Sequence, residues 1–200
     1  LIYRTVRGVT RTVGAGLDGA VTAIDPWLGD AGTSSQRQAL QSAMNGVIGD
    51  HLEASDNPLA ISMRLRRDGA ALDLTRRGLK IDVPDATGKL LVLVHGLCMS
   101  DLQWNYAGHD HGQALQRDLG CTPLYLHYNS GRHISENGHD LSALLQQLVR
   151  AWPVPVEEIT LLCHSMGGLV ARSAIDQAFT RRLAWSRLPL RAVFLGTPHH

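Results

Sequence analysis

The sequence predicts an α/β fold, a mostly parallel sheet with helices on both of its faces. Mainly apolar runs, typical of strands that helices bury, occur at residues 90–94, 122–128, 158–163 and 190–195. Segments with helical spacing of apolar residues alternate with these runs, at residues 111–119, 139–150 and 166–179. Such alternation is typical of a parallel sheet, whose strands end together at one edge, where functional sites form.

Length and composition describe an ordinary globular protein of one domain. The 200 residues suffice for a sizeable core, with 44% hydrophobic and 18% charged residues. Because 19 lysines and arginines are balanced by 18 acidic residues, the chain lacks the positive field of a nucleic-acid-binding protein. No run reaches the roughly 20 apolar residues needed to cross a bilayer, which leaves only peripheral membrane contact open.

The three cysteines favour a reducing, cytoplasmic location. Cys98, Cys121 and Cys163 are an odd number and lack CxxC spacing, so neither a disulfide framework nor a zinc knuckle is expected. The first residues also lack the continuous apolar core of a signal peptide. Of the ten histidines, the densest group is HDHG at 109–112, which is not an HExxH motif. We therefore expect no metal site and no cofactor.

A helical segment precedes the α/β core in the prediction. We divide the chain into a helical N-terminal segment at 1–57 and the core at 58–200, with a first helix over residues 1–27. A second helix starts with a capping-box pattern at Ser35 and Gln38. Its apolar stripe comprises Leu40, Ala43, Met44, Val47, Ile48 and Leu52.

A β-hairpin should follow the second helix. Asp68-Gly69, a strong turn signal, separates strand-like runs at 60–67 and 70–74. A third run at 78–83 extends this meander in the prediction. Because the chain opens without methionine and stops directly after the last predicted strand, we expect a fold that is incomplete at its C-terminus.

Ser165 is the candidate nucleophile. It lies where the apolar strand ends and the next helix begins, in the stretch LLCHSMGGLV at 161–170. A sharp strand-to-helix turn would lift its hydroxyl above the sheet, and Gly167 and Gly168 would permit close backbone packing there. The N–H of Met166, at the helix N-terminus, would face an oxyanion formed at the serine.

A second motif, HGLCMS at 95–100, follows another buried strand. The loop after this strand can supply a second oxyanion donor, and Leu97 is the best placed. We expect His95 to fix this loop through hydrogen bonds. The residues expected to border the substrate pocket are His95, Gly96, Trp104, His164 and His199.

These motifs resemble the α/β-hydrolase family. The matching segments are LVLVHG at 91–96, HSMGGLVAR at 164–172 and FLGTPHH at 194–200. They are most similar to the lipase/esterase branch, which includes GPI inositol-deacylase-like and triacylglycerol-lipase-like members. The resemblance covers about Lys89 to His200, slightly over half of the chain. Cys163 departs from the family pattern, because it occupies the first glycine of Gly-x-Ser-x-Gly.

The resemblance implies a serine hydrolase that cleaves carboxylic esters, with lipid-like or other hydrophobic acyl groups, through an acyl-enzyme on Ser165. In the family the acid and then the histidine follow the serine. The only acid after Ser165 is Asp176, on the same predicted helix, so we expect the activating acid and base beyond residue 200. Two alternatives stay open: an acyltransferase of the same fold, and a non-catalytic α/β-hydrolase-like binding domain.

Overall fold

A computed structural model describes residues 34–199 of the chain. The helix predicted over 1–27 and His200 lie outside this part. Within it, the helices are α1 (Ser34–Ala54), α2 (Arg76–Asp82), α3 (His111–Leu119), α4 (Ile134–Ala151) and α5 (Gly167–Thr180). The strands are β1 (Arg64–Arg67), β2 (Ala70–Ala71), β3 (Lys89–Val94), β4 (Asn105–Tyr106), β5 (His109–Asp110), β6 (Thr122–His127), β7 (Glu158–His164) and β8 (Leu190–Leu195). Single 3₁₀ turns occur at Asp101–Trp104 and Ala184–Arg187.

Six strands form one mixed sheet in the order β2-β1-β6-β3-β7-β8. β6, β3, β7 and β8 are parallel, and β1 runs antiparallel to both of its neighbours. The prediction of a mostly parallel α/β sheet is therefore confirmed. β4 and β5 form a separate two-stranded hairpin.

The sheet is buried on both faces because apolar side chains alternate across its central strands. On one face, Val92, Val94, Leu124 and Leu161 pack in the main core with residues of α4 and α5. The second face carries a smaller cluster, made of Leu91, Leu93, Trp104, Cys121, Tyr125 and Leu162, with Leu115 of α3 packed against it.

Register brings the ends of the parallel strands together at one edge of the sheet. Val94 pairs with both Leu126 and Cys163, and Cys163 pairs in turn with Phe194. The loops that follow β3 and β7 therefore leave the sheet side by side. This is the edge at which the sequence places the HGLCMS loop and Ser165.

The predicted hairpin is present, with shorter strands than expected. Asp68 and Gly69 form its turn, and both have positive φ (51° and 78°), as a two-residue type I′ connection requires. The third run, however, does not extend the meander. It forms α2, whose N-terminus is capped by Thr75 Oγ1 accepting the Gly78 N–H at 3.0 Å.

Two other boundaries differ from the prediction. α4 begins at Ile134, five residues before the predicted start at 139. α1 begins at Ser34, so Ser35 lies in its first turn instead of capping it. Among residues 34–199, no helix is both long and apolar enough to span a bilayer.

Candidate active site

Ser165 sits in a tight turn between β7 and α5. Its φ of 51° is in the left-handed region, which is uncommon for a residue with a side chain and often marks a functional site. Its N–H donates to the Leu195 carbonyl at 2.8 Å, and its own carbonyl accepts the Gly168 N–H at 3.1 Å. These bonds fix the backbone of the turn on both sides of the serine.

The glycines after Ser165 allow the turn to press against its neighbours. A Cβ at Gly167 would lie 2.4 Å from the His95 carbonyl oxygen and 2.7 Å from that of Val94. A Cβ at Gly168 would lie 2.1 Å from Thr197 Oγ1. The sequence therefore needs glycine at 167 because a side chain would collide with the backbone of β3 and the loop after it.

Ser165 is half-buried. Within the described range its Oγ makes no hydrogen bond with a histidine: His164 Nδ1 lies against Met99 Sδ, and His199 Nδ1 lies against Arg172. Its Cβ faces Gly96, where an added Cβ would lie 3.1 Å away. The structure thus places the HGLCMS loop directly beside Ser165.

We call residues 95–101 the oxyanion loop, because they contain the predicted donor Leu97. The Leu97 and Met166 N–H groups donate to no acceptor among residues 34–199, whereas the N–H groups of Cys98 and Ser165 are occupied. Cys98 N–H donates to Ser130 Oγ at 3.0 Å, and Met99 N–H to the Gly96 carbonyl at 3.3 Å. The two predicted donors are therefore unengaged on either side of Ser165. The oxyanion role itself stays a prediction.

His95 is 1% exposed and lies in the interior behind the loop. Its Nδ1 is 2.9 Å from the Gly96 carbonyl, and because a carbonyl only accepts, Nδ1 carries the proton. Its ring stacks on Tyr128 at 4.3 Å, and the Tyr128 hydroxyl donates to the His95 carbonyl at 2.8 Å. Burial lowers the pKa of His95 to about 4, so the imidazole is neutral at pH 7. Nε2 is buried without a partner in the described structure.

Gly96 and His164 lie next to Ser165. Added to Gly96, a Cβ would come within 3.2 Å of both His164 Nδ1 and Met99 Sδ, and these two atoms are themselves 3.2 Å apart. Trp104 is 7% exposed and packs in the smaller apolar cluster. Its predicted place at the pocket border stays a prediction.

His199 is exposed near the end of β8. Its Nδ1 lies 3.1 Å from an Arg172 guanidinium nitrogen, and because arginine only donates, this histidine nitrogen is the acceptor. The ring also meets Phe194 edge-on at 5.0 Å. Asp176 is exposed on α5 and forms no hydrogen bond with Ser165.

Cys163 is a buried core residue. It belongs to the main apolar cluster, and burial raises the pKa of its thiol to about 12. A thiol that stays protonated is a poor nucleophile. The turn forms with this residue in place of the first glycine, because Cys163 is still part of β7 and its side chain points into the core.

Sequence reasoning missed an ionic cluster at the end of the oxyanion loop. Asp101 is 5% exposed, and its Oδ1 accepts from Gln38 Nε2 at 2.9 Å and from an Arg66 nitrogen at 3.0 Å. His127 Nδ1 lies 3.0 Å from the same oxygen. Burial alone would raise the pKa of Asp101, but His127 and Arg66 lower it overall. The partners are far apart along the chain, so no local motif signals the cluster.

The fold and this site together define a class of protein. A parallel sheet, a serine at positive φ between a strand and a helix, and glycines that press this turn onto the next strand are the marks of the α/β-hydrolase fold. The family model described as "PGAP1-like alpha/beta domain" matches residues 85–200, more than half of the chain. The chain therefore belongs to the PGAP1-like alpha/beta domain family.

Membership of this family, which has the α/β-hydrolase fold, confirms the resemblance drawn from the motifs. It also agrees with the predicted likeness to GPI inositol-deacylase-like proteins. No curated protein and no solved structure matches the chain significantly.

Proposed function

We propose that the protein is a serine hydrolase that cleaves carboxylic esters through an acyl-enzyme on Ser165. The single observation that carries the proposal is the conformation of Ser165. Ser165 is a half-buried residue with positive φ, its hydroxyl has no partner among the described residues, and it lies at the carboxyl edge of a parallel sheet. Holding such a residue in the left-handed region costs of order 1–3 kcal/mol, which a functional role would justify.

The proposed reaction has two steps. In the first, Ser165 Oγ bonds to the ester carbonyl carbon, its proton passes to a general base, and the alcohol leaves with a proton from that base. In the second, the base takes a proton from a water molecule whose oxygen bonds to the same carbon, the bond to Oγ breaks with release of the carboxylic acid, and the base passes that proton to Oγ. In this proposal the base and the acid that orients it lie outside residues 34–199. They follow the serine in the order acid and then histidine that is typical of the fold.

The proposed oxyanion hole consists of the Leu97 and Met166 N–H groups. Support comes from their lack of acceptors within residues 34–199, where the adjacent Cys98 and Ser165 N–H groups are occupied. Two donors of this kind stabilise the negative oxygen of the tetrahedral intermediate, and losing one typically costs roughly 10²- to 10³-fold in rate.

Apolar side chains around Ser165 favour a hydrophobic acyl group. Leu97 is 49% exposed and Leu195 is 42% exposed. Both belong to segments that touch the serine turn, one through Gly96 and the other through the hydrogen bond from Ser165 N–H. Each buried methylene of an acyl chain contributes about 0.8 kcal/mol. Longer acyl chains should therefore bind more tightly.

Turnover of p-nitrophenyl esters by the full-length protein tests this function. We expect kcat/KM to rise from acetate to octanoate and to fall at least roughly 10³-fold in Ser165→Ala. Ser62→Ala, which removes an exposed serine, is the matched control and should keep full activity. Turnover that survives in Ser165→Ala, or that is absent from the wild-type protein, would reject the proposal.

A further inference from the structure

Helix α1 lies directly on the oxyanion loop. At Gly46 an added Cβ would be 2.4 Å from Cys98 Sγ, 2.6 Å from its Cα and 2.7 Å from its nitrogen. The helix backbone is therefore in contact with the loop backbone, one residue after the predicted donor Leu97. α1 lies outside residues 85–200, the part that matches the family model.

Cys98 needs support because its backbone has an unfavourable conformation. Its φ of 59° is in the left-handed region, which costs an L-residue roughly 1–2 kcal/mol. Gly46 touches it from one side, and Ser130 Oγ accepts its N–H from the other. These two contacts fix the peptide that joins Leu97 to Cys98, next to the Gly96–Leu97 peptide that carries the Leu97 N–H.

The far end of the loop is also tied to α1. Gln38 Nε2 donates to the buried Asp101 carboxylate at 2.9 Å. Arg66 of β1 forms an ion pair with the same carboxylate, and His127 Nδ1 of β6 lies 3.0 Å from it. Two residues of one helix therefore contact the oxyanion loop: Gly46 near its middle and Gln38 at its last residue.

α1 is itself firmly attached to the sheet edge. Asn129 Nδ2 donates to the Gly49 carbonyl at 2.8 Å, and a Cβ on Gly131 would lie 2.1 Å from the Asn45 carbonyl oxygen. Asn129 and Gly131 lie in the loop between β6 and α4. The sheet edge therefore fixes the position of α1, and α1 in turn contacts the oxyanion loop.

We propose that α1 is a positioning element of the active site, in which Gly46 and Gln38 hold the oxyanion loop so that the Leu97 N–H faces the substrate carbonyl. The inference rests on the proposed function and deepens it. Gly46 and Gln38 touch no reacting atom, and they act through Cys98 and Asp101. A segment outside the matched family region thereby takes part in catalysis.

Gly46→Ala tests the contact. Ordinary van der Waals contact begins at about 3.4 Å, so the new Cβ must push the Cys98 backbone by most of an ångström. Because a misplacement of about 1 Å can cost roughly 10²-fold, we expect kcat to fall by about that factor in the full-length protein. KM should change little, because ester binding does not require the oxyanion donors. Rates are divided by the concentration of Ser165 sites titrated with a fluorophosphonate, so that a smaller folded fraction does not lower the measured kcat.

Gln38→Leu is the second variant, because it removes the tie to Asp101 without a clash. We expect kcat to fall roughly tenfold, the effect of one charge-assisted hydrogen bond. Arg37→Ala, on the exposed side of the same helix, is the control and should behave as wild type. If both Gly46→Ala and Gln38→Leu keep wild-type kcat, or if kcat and KM change only with the folded fraction, the inference is wrong.

Alkylation of Cys98 separates this inference from the proposed function. Cys98 is half-buried against Gly46, whereas Cys121 and Cys163 are buried. The rate at which iodoacetamide labels Cys98 should change several-fold in Gly46→Ala, because the new Cβ lies against Cys98 Sγ; peptide mass spectrometry measures this rate. Such a change would show that α1 positions the loop, even if the wild-type protein had no esterase activity. A lack of activity would reject the proposed function and leave this contact unaffected. Unchanged labelling would overturn the inference while leaving Ser165 turnover intact.

Discussion

Mild acid should destabilise this fold because His95 is buried as a neutral imidazole. Burial lowers its pKa from 6.5 to about 4, so between these pH values the unfolded chain binds a proton that the folded chain does not. Stability therefore falls as the pH decreases through this window. At 1.36 kcal/mol per pKa unit, the whole loss is about 3 kcal/mol, of which about 2 kcal/mol should appear between pH 7 and pH 5.

Between pH 7 and pH 5, the effect of His95 on stability can be distinguished from that of the carboxylates in ion pairs. The hydrogen bonds from Arg67 lower the pKa of Asp85 to about 2, and the pKa of Asp101 is also lowered. Both groups stay charged in the folded protein from pH 7 to pH 5. Their stabilising effect is lost only at lower pH, where protons bind the unfolded chain first.

Urea unfolding at pH 7, 6 and 5, at constant ionic strength, measures the effect. Wild type should lose about 2 kcal/mol over this range, and His95→Gln should lose much less, although it will be less stable at pH 7. His109→Gln, at an exposed site on β5, is the control and should retain the wild-type slope. Equal slopes for wild type and His95→Gln would refute the reasoning.

Two further predictions concern the backbone. Gly167→Ala should cost about 1–3 kcal/mol by overpacking, because its Cβ would meet the His95 and Val94 carbonyl oxygens; urea unfolding checks this, and a neutral effect would mean that the turn does not press on β3. Thr75→Ala should cost about 1 kcal/mol by loss of the α2 cap; an unchanged urea midpoint would contradict the helix assigned there.

The α/β core could be predicted because each central strand is mainly apolar and each helix has a clear stripe. The helix α2 could not be predicted in this way. Leu79, Ile81 and Val83 alternate as in a strand, yet Leu79 and Val83 are buried four residues apart on one helix face, and Ile81 is 69% exposed. Leu79 and Val83 thus fit the helical period as well as the strand period, and the apolar pattern alone does not distinguish the two. The Thr75 cap and the contacts of Leu79 with the core select the helix.

The serine turn was predictable from its local pattern, whereas its support was not. Ser165 and Gly167 lie within a few residues of each other, so a motif can reveal them. Gly46, Gln38 and Arg66 reach the oxyanion loop only through the fold, from positions 35 to 63 residues before their partner. Such contacts depend on tertiary packing and leave no periodic signal in the sequence.

The position of covalent labelling tests the central claim most directly. The full-length protein is treated with a fluorophosphonate, which reacts with activated serines, and the modified peptide is sequenced by mass spectrometry. We predict one adduct, on Ser165, that is absent from Ser165→Ala and present in Ser62→Ala. An adduct on another residue, or labelling that persists in Ser165→Ala, would contradict the assignment of Ser165 as the nucleophile.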